Sequence, residues 1–250
     1  MINKFLERIA RGCRFLMSYD YKSSHKYQNK NQITNSDLIL YLLKQKNIYP
    51  KYIVDVGCGY GEWTLKMLKY FPKSNFVLFD ANNKNETYLS KLKANKKNIN
   101  YNICLLSDDE ENYDFYNMGT GSSIYEEQTS HNRKIEKIKS TTLFKQLPSQ
   151  IHDNFNNLIK LDVQGAELKI LNGLNNLINS FEIIILEVSL HQYNKNAPLF
   201  NEVVNFMDNK GFKLYDLFDL KRLGNTNSFL LQFDCVFVKK NSYLFDVKFQ

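Results

Sequence analysis

The amino-acid sequence predicts an α/β fold built on a mostly parallel sheet whose last strand is antiparallel. Three observations lead to this fold. Apolar, strand-like runs alternate with helical stretches, a glycine-rich turn follows the first of these runs, and the chain closes on two strands with no helix between them. Helical crossovers make neighbouring strands parallel, whereas strands joined by a short turn form an antiparallel hairpin.

The individual elements follow from hydrophobic periodicity and from the residues that punctuate it. The predicted strands are 52–57, 75–82, 99–108, 157–163, 181–189, 212–220 and 230–240, and the predicted helices are 37–46, 62–71, 86–96, 166–174 and 199–211. Residues 113–117 and 134–142 are predicted as short edge strands around a long loop. A loop of that length in a compact domain is usually functional or mobile.

The chain is predicted to be one domain, residues 36–250, preceded by an N-terminal extension, residues 1–35. The extension begins with a short basic amphipathic helix, whose apolar face comprises Ile2, Phe5, Leu6 and Ile9. Such a helix either packs on its own domain, or on a second subunit of a homo-oligomer, or rests on an anionic membrane surface.

Composition narrows the class of protein. A hydrophobic fraction of 43% indicates a globular core. The net charge of +7 is compatible with an anionic partner, but the lysines are diffuse, so we do not expect a nucleic-acid partner. The four cysteines form no CxxC pair, and no apolar run reaches the roughly 18 residues of a membrane span. The sequence also lacks a signal-peptide core, and we expect a cytoplasmic protein.

The glycine turn, "VDVGCGYGEW", places Gly57, Gly59 and Gly61 between a strand and a helix. Glycines let a ligand approach the backbone and tolerate positive φ. Glu62 stands where a dinucleotide-binding fingerprint has its third glycine, which weakens a nicotinamide-dehydrogenase interpretation. No GK[ST] follows, so nucleoside triphosphate hydrolysis is disfavoured as well.

Acidic and polar residues after the next strands complete an adenosine-type site. Asp80 ends the second strand, where a carboxylate can accept hydrogen bonds from both ribose hydroxyls, and Ser107 and Asp108 stand where adenine would lie. Asp55 is expected to orient the loop and the amino-acid end of the cofactor. An adenosine cofactor without pyrophosphate is best matched by S-adenosyl-L-methionine. The predicted cofactor-binding residues are Asp55, Gly57, Gly59, Gly61, Asp80, Ala81, Asn82, Ser107 and Asp108.

Five blocks, "VDVGCGYGEWT", "FVLFDAN", "LLSDDEENYDFYN", "GTGSSI" and "IKLDVQGAELKILNGL", resemble the FkbM-like family of S-adenosylmethionine-dependent methyltransferases. The resemblance spans roughly residues 50–240. It implies a class I methyltransferase with a Rossmann-like seven-stranded sheet, mostly parallel with an antiparallel last strand and with helices on both faces. It also implies O-methyl transfer, often to a hydroxyl of a sugar or another small metabolite, as in surface polysaccharide or glycan biosynthesis. Gln164 departs from the glutamate that the family often has.

Methyl transfer to a hydroxyl requires in-line alignment and removal of a proton. Asp162 ends the fourth main strand, Glu187 lies near the end of the fifth, and His191 follows it. Because the carboxyl ends of parallel strands meet at one crevice, we predict these three residues as catalytic, with His191 or Asp162 as the base. An alternative is that the three hold a divalent metal ion such as magnesium, manganese or calcium.

Four further residues are predicted to contact the substrate. Ser122 and Ser123 lie in the long loop, which is expected to fold over the acceptor, while Gln164 and Glu167 follow the fourth strand. Glu167 also suits the first turn of a helix, where a carboxylate favours the positive end of the dipole. Two other functions stay open: a nucleic-acid methyltransferase, although "DVQG" replaces the [DNS]PP[YFW] element of amino-methylating DNA enzymes, and a non-catalytic cofactor-binding protein.

Overall fold

The computed structural model describes residues 35–154, 156–223 and 229–246. The predicted amphipathic helix of the extension lies outside the described residues. The chain divides into two compact units, residues 1–39 and residues 40–250, and all described strands lie in the second. No helix in the described part of the chain is long and apolar enough to cross a membrane.

The strands form two sheets. Their bounds are β1 (Tyr52–Val56), β2 (Asn75–Asp80), β3 (Ile99–Ile103), β4 (Leu105–Ser107), β5 (Asn112–Asn117), β6 (Lys134–Thr142), β7 (Asn157–Leu161), β8 (Phe181–Ser189), β9 (Phe212–Leu223) and β10 (Phe229–Lys239). The larger sheet has seven strands in the order β3-β2-β1-β7-β8-β10-β9. Its pairs are parallel except those of β10, which runs antiparallel to both β8 and β9. The predicted fold class is confirmed.

The helices lie between the strands as the alternation predicts. They are α1 (Asn35–Gln45), α2 (Glu62–Tyr70), α3 (Glu86–Asn95), α4 (Leu143–Gln146), α5 (Glu167–Asn172) and α6 (Phe200–Asn209). In α6, Val203 and Met207 share one face at helical spacing, and both are buried in the core beside Phe212 of β9. The helix ends before Gly211, whose φ of 85° is one that residues with a Cβ rarely adopt.

The second sheet was not predicted. The expected third strand, 99–108, is divided into β3 and β4 at Cys104, whose amide still donates to the Asp80 carbonyl. Beyond Cys104 the chain leaves β2 and pairs in parallel with β6. The segments predicted as short edge strands, β5 and β6, pair with each other and with β4 in a three-stranded sheet of order β4-β6-β5.

The central strands of the larger sheet are almost wholly apolar, because both faces of a parallel sheet are covered. Every residue of β7 is buried, and β8 is buried apart from Glu182 and Ser189. Against this background a few buried charged side chains stand out. They are Asp55 on β1, Asp80 on β2, Lys160 on β7, Glu187 on β8 and Asp234 on β10.

Candidate functional site

The glycine turn between β1 and α2 is closed by Asp80 at the end of β2. Its Oδ2 accepts a hydrogen bond from the Gly59 amide at 2.7 Å, and its Oδ1 accepts one from the Asn82 amide at 2.8 Å. The Gly57 amide in turn donates to the Phe79 carbonyl at 2.9 Å. Carboxylate oxygens can accept more than one hydrogen bond. Asp80 therefore stabilises the turn, and its oxygens can still accept the predicted hydrogen bonds from the ribose.

The three glycines are required for different reasons. All have positive φ, 76° at Gly57, 54° at Gly59 and 80° at Gly61. A Cβ at Gly57 would lie 2.0 Å from the Asp162 carbonyl oxygen, and one at Gly61 would lie 2.7 Å from Cδ2 of Leu92. A Cβ at Gly59 would meet nothing within 4 Å. Only Gly59 therefore leaves open space at its Cα for a ligand, whereas Gly57 brings the turn against the loop after β7.

We expect Gly57→Ala to destabilise the protein by about 1–3 kcal/mol more than Gly59→Ala. Both substitutions place a Cβ on a left-handed backbone, at a common cost of roughly 1–2 kcal/mol. Only at Gly57 must the Asp162 backbone also move. Urea denaturation of the two variants measures the difference. Equal losses would contradict this account of the turn.

The other predicted cofactor residues lie at neighbouring strand ends. The Ser107 hydroxyl donates to Asp108 Oδ1 at 3.0 Å, and the Lys169 ammonium donates to the same oxygen at 3.0 Å. Ala81 and Asn82 directly follow β2, and Asn82 Oδ1 accepts from the Lys84 amide at 3.2 Å. The structure gives these residues partners within the protein, and their contacts with the cofactor stay a prediction.

Asp55 is turned toward the interior of the protein. It is 1% exposed, and its Oδ2 accepts a hydrogen bond from the Thr64 hydroxyl of α2 at 2.6 Å. Burial raises the pKa of Asp55 to about 6, although the Lys160 ammonium opposes this shift. The carboxyl group fastens β1 to α2, and its predicted contact with the cofactor is untested.

A buried ammonium group connects Asp55 to the end of β7. Lys160 is 5% exposed and pairs in register with Asp55 of β1, and its Nζ lies 2.7 Å from Asp162 Oδ2. Burial disfavours the charged form, but the carboxylates of Asp162, Asp234 and Asp55 outweigh burial and raise the pKa of Lys160. The same ammonium lies 5.8 Å from the centroid of the Trp63 ring. Lys160 is therefore the counter-ion at the centre of the site.

Gln164 joins the two predicted catalytic carboxyl groups. Its Nε2 donates to Asp162 Oδ1 at 3.2 Å and also to Glu187 Oε2. Lys221 of β9 donates to the other oxygen of Glu187. Gln232 Nε2 lies 3.4 Å from both Gln164 Oε1 and Glu187 Oε2. The structure thus brings Asp162, Gln164 and Glu187 together.

The two carboxyl groups differ in exposure and acidity. The side chain of Asp162 is 30% exposed, whereas that of Glu187 is 1% exposed. Burial, reinforced by the charge of Asp162, raises the pKa of Glu187 to about 8. Burial would raise the pKa of Asp162 as well, but the ammonium groups of Lys160 and Lys221 hold it below its ordinary value. Asp162 is therefore the ionised, accessible carboxylate.

The predicted metal site at Asp162, Glu187 and His191 is not supported. His191 is exposed, and its ring stacks on Phe229 with centroids 4.2 Å apart. Asp162 and Glu187 instead bind Lys160, Lys221 and the amide of Gln164. Among the described residues no group of three or more His, Cys, Asp or Glu side chains could hold a metal ion. The catalytic role of His191 stays a prediction.

The predicted substrate serines are bonded within the protein. The Ser122 hydroxyl donates to the Gly119 carbonyl at 2.8 Å, which closes its own turn. Ser123 is 3% exposed, and its hydroxyl donates to the Gln164 carbonyl at 2.9 Å. The long loop therefore lies against the turn after β7, and a direct contact of either serine with substrate stays a prediction.

Glu167 closes the turn before α5. Its Oε1 accepts from the Val163 amide at 3.0 Å and from the Gly165 amide at 3.2 Å. The side chain is buried, and burial raises its pKa to about 7 against the effect of these hydrogen bonds. This geometry favours the helix-start interpretation over substrate contact, which stays untested.

We expect Glu167→Gln to stabilise the protein by about 1–3 kcal/mol above about pH 7, and to change little near pH 5. Between the unfolded pKa near 4.5 and the folded value of about 7, folded Glu167 keeps a proton that the unfolded chain releases. Its contribution to stability therefore falls as pH rises through this window. Glutamine keeps the accepting oxygen and does not ionise.

Denaturation of wild type and variant from about pH 5 to about pH 8 measures this effect. Glu86→Gln, at the exposed first position of α3, is the matched control and should follow the wild-type curve. A Glu167→Gln curve parallel to wild type across that range would contradict the expected ionisation.

Four polar residues of the site were not predicted from the sequence. Lys160 and Asp234 carried a usable signal, because a charged residue inside an apolar strand needs a partner. Lys221 and Gln232 carried no such signal. They lie on the edge hairpin, where alternation with polar residues is ordinary.

Comparison with known proteins gives one family match. The family described as "Methyltransferase FkbM domain" matches residues 55–214, which run from the last two residues of β1 through β2, β7 and β8 into the start of β9. No curated protein shows significant sequence similarity to the chain.

Three similar solved structures are distant from this chain in sequence. The ribosomal protein L11 methylase of Lactobacillus delbrueckii subsp. bulgaricus is 12% identical with a TM-score of 0.47, over 84% of this chain and 80% of that one. Precorrin-6y C5,15-methyltransferase of Geobacter metallireducens is 9% identical with a TM-score of 0.45, over 82% and 88%. The 1,6-didemethyltoxoflavin-N1-methyltransferase of Burkholderia thailandensis, solved with 1,6-didemethyltoxoflavin and S-adenosylhomocysteine, is 10% identical with a TM-score of 0.45, over 92% of this chain and 90% of that one. These similarities do not bear on the acceptor of the present chain.

Proposed function

We propose that this chain, which belongs to the FkbM methyltransferase domain family, methylates a hydroxyl group of a small-molecule acceptor. It is an S-adenosylmethionine-dependent methyltransferase. We propose further that the acceptor is a sugar of surface polysaccharide or glycan biosynthesis. The observation that carries the hydroxyl acceptor is the ionised, partly exposed carboxylate of Asp162 at the edge where the glycine turn meets β7.

The geometry supports Asp162 as the group that receives the acceptor hydroxyl. Its backbone carbonyl contacts Gly57, so the side chain lies beside the turn that would hold the methyl donor. An ionised carboxylate can accept a hydrogen bond from the hydroxyl and aim its oxygen at the methyl carbon. Lys160 and Gln164 hold the carboxylate in place through its two oxygens.

In the transfer step the acceptor oxygen forms a bond to the methyl carbon while the carbon–sulfur bond breaks. The electron pair of that bond stays on sulfur, which gives neutral S-adenosylhomocysteine, and the hydroxyl proton passes to Asp162. The low pKa of Asp162 is compatible with this role, because an oxygen that is gaining a third bond becomes strongly acidic. A weak base can therefore accept the proton late in the step.

The test is transfer from methyl-labelled S-adenosylmethionine to an acceptor panel. The panel contains nucleotide-linked sugars, free oligosaccharides, small phenols, amines, and single-stranded RNA and DNA, each assayed with and without a chelator. The expected result is S-adenosylhomocysteine release with a saccharide, and an O-methyl group located in the product by mass spectrometry. Transfer only to amines or nucleic acid would overturn the proposal, and so would tight cofactor binding without transfer to any hydroxyl compound.

We propose a cytoplasmic location, supported by four cysteines that form no CxxC pair. Contact of the N-terminal segment with an anionic membrane, or with a second copy of the chain, is likewise a proposal. Co-sedimentation of the full chain with vesicles containing phosphatidylglycerol, together with its mass in solution by light scattering, distinguishes the two. A monomer that stays in the supernatant would overturn both.

A further inference from the structure

Gln164 has a backbone conformation that must be held by its surroundings. Its φ is 57°, in the left-handed region that side chains with a Cβ rarely occupy, and Gly165 follows with φ 110°. Such strained positions persist only where neighbouring contacts determine them. Here the contacts converge on a single atom, the carbonyl oxygen of Gln164. It accepts from the Ser123 hydroxyl at 2.9 Å and from Asn194 Nδ2 at 2.7 Å.

The two donors come from different loops. Ser123 belongs to the loop between β5 and β6, residues 118–133, and Asn194 to the loop between β8 and α6, residues 190–199. Both side chains are 3% exposed. The loops are themselves tied together by backbone hydrogen bonds. These are Gln128 amide to Tyr193 carbonyl at 2.9 Å and Lys195 amide to Glu126 carbonyl at 2.8 Å.

We propose that Ser123 and Asn194 are positioning residues, which hold the backbone of Gln164 so that its side-chain amide bridges the carboxyl groups of Asp162 and Glu187. The proposal rests on the proposed function in one respect, that Asp162 is the group that meets the acceptor. Neither donor touches the reacting atoms in this arrangement. They act through Gln164, and the loop between β5 and β6 thereby becomes part of the catalytic face.

The bridge matters because the amide is a neutral donor between two acids. It donates one hydrogen to each carboxyl group. A hydrogen-bond donor therefore lies between the two acids. If Gln164 turned away, Asp162 and Glu187 would interact directly, and the two would titrate further apart. The other charged groups around the pair are unchanged by this turn. They are Lys160 of β7, Asp55 of β1, Asp234 of β10, Lys221 of β9 and Glu167 of α5.

Asn194 is used as a donor alone. Its Nδ2 donates to Gln164, while its Oδ1 is buried and has no hydrogen-bond partner among the described residues. Burying an acceptor without a partner is unfavourable. The orientation is nevertheless kept, because it directs the NH₂ group of Asn194 to the Gln164 carbonyl. A residue without a donor at this position would leave that carbonyl with the Ser123 hydroxyl as its only side-chain donor among the described residues.

The experiment follows the side-chain NH₂ resonances of Gln164 by ¹H–¹⁵N NMR, in the full chain saturated with S-adenosylhomocysteine, from about pH 5 to about pH 10, a range that spans the Glu187 midpoint of wild type and of the variants. The Gln164→Ala spectrum assigns the resonances. In wild type we expect the amide resonances to shift with the titration of Glu187, while Asp162 stays ionised across this range. In Ser123→Ala and Asn194→Ala we expect the resonances to move toward free-amide values and the Glu187 midpoint to rise by about one pH unit.

Two controls separate positioning from packing. Ser122→Ala removes a neighbouring hydroxyl whose hydrogen bonds stay within its own turn, and should leave the Gln164 titration at the wild-type midpoint. Ser123→Thr keeps the hydroxyl and should show the wild-type midpoint of the Gln164 titration. Affinity for S-adenosylhomocysteine should stay within about twofold in every variant that folds, because Ser123 and Asn194 donate to Gln164 and not to the glycine turn. Loss of one hydrogen bond to the cofactor would change the affinity by more than this.

The proposal is overturned if Ser123→Ala and Asn194→Ala lower the melting temperature but leave the Gln164 resonances and midpoints at wild-type values. It is also overturned if Ser122→Ala shifts them equally, or if Ser123→Thr behaves as Ser123→Ala. Should the alanine variants fail to fold, the wild-type titration still tests the bridge, because Gln164 resonances that do not follow Glu187 would overturn the proposal. No acceptor is needed, so failure of the acceptor panel would be distinguishable from failure of this proposal.

Discussion

Lys160→Met is expected to destabilise the protein by about 3–5 kcal/mol, because it removes one partner of a buried ion pair. Methionine fills a similar volume but leaves the carboxyl groups of Asp55, Asp162 and Asp234 without their shared cation. Urea denaturation near neutral pH measures the loss. We expect the loss to shrink toward about pH 5, because the uncompensated acids can then take up protons instead of remaining charged in the interior.

The matched control is Lys137→Met. Its ammonium lies 3.5 Å from Asp114, but the two side chains are 81% and 50% exposed. Exposed ion pairs contribute about 0–1 kcal/mol, so this variant should unfold close to wild type. If Lys160→Met unfolded as late as the control, Lys160 would not be the counter-ion of the site.

Asp162→Asn is expected to lower methyl transfer by about 10²–10⁴-fold, the range by which general acid–base groups contribute. Asparagine can still accept from Lys160 through its carbonyl oxygen, but it cannot take the acceptor proton. We therefore expect the rate of transfer to fall while affinity for S-adenosylhomocysteine changes by less than about threefold. The measurements are turnover with the acceptor found on the panel and calorimetric binding of the product cofactor.

Asp114→Asn, on the exposed face of β5, is the control and should keep full turnover. A comparable loss of affinity and of rate in Asp162→Asn would assign Asp162 to cofactor binding. Unchanged turnover would leave His191 or Glu187 as the base.

The main sheet could be predicted because its signals are local. A strand such as β8 contains an unbroken apolar run, residues 183–186, and α6 shows Val203 and Met207 at helical spacing. The second sheet could not be predicted, since only Cys104 separates β3 from β4 and nothing punctuates the change of partner. The partners of a strand depend on the rest of the chain. Residues 99–108 read as one continuous strand, although β3 pairs with β2 and β4 pairs with β6.

The site was predictable in outline for the same reason. Asp80, Asp162 and Glu187 stand at strand ends, a position that can be counted from the sequence. The hydrogen-bond partner of Ser123 could not be predicted from its position in the sequence. A hydroxyl in a polar loop suggests a ligand contact, whereas the structure directs it to a backbone carbonyl 41 residues away. The sequence shows that Gln164 departs from the family pattern. Its two carboxyl partners depend on the pairing of β7 with β8, which the sequence does not show residue by residue.

The hydrogen bonds around Gln164 have a consequence for the order of events during folding. Ser123 and Gln232 are separated from Gln164 by 41 and 68 residues, and Lys221 is separated from Glu187 by 34. Closing such loops costs entropy before the contact forms, and Lys221 lies on β9, which reaches β8 only through its neighbour β10. Glu187 is therefore without its ammonium partner until the final hairpin has docked. The amide bridge between the acids is completed only when chain segments from three regions have assembled, so a nascent or truncated chain would be incompetent for transfer even with its cofactor turn already formed.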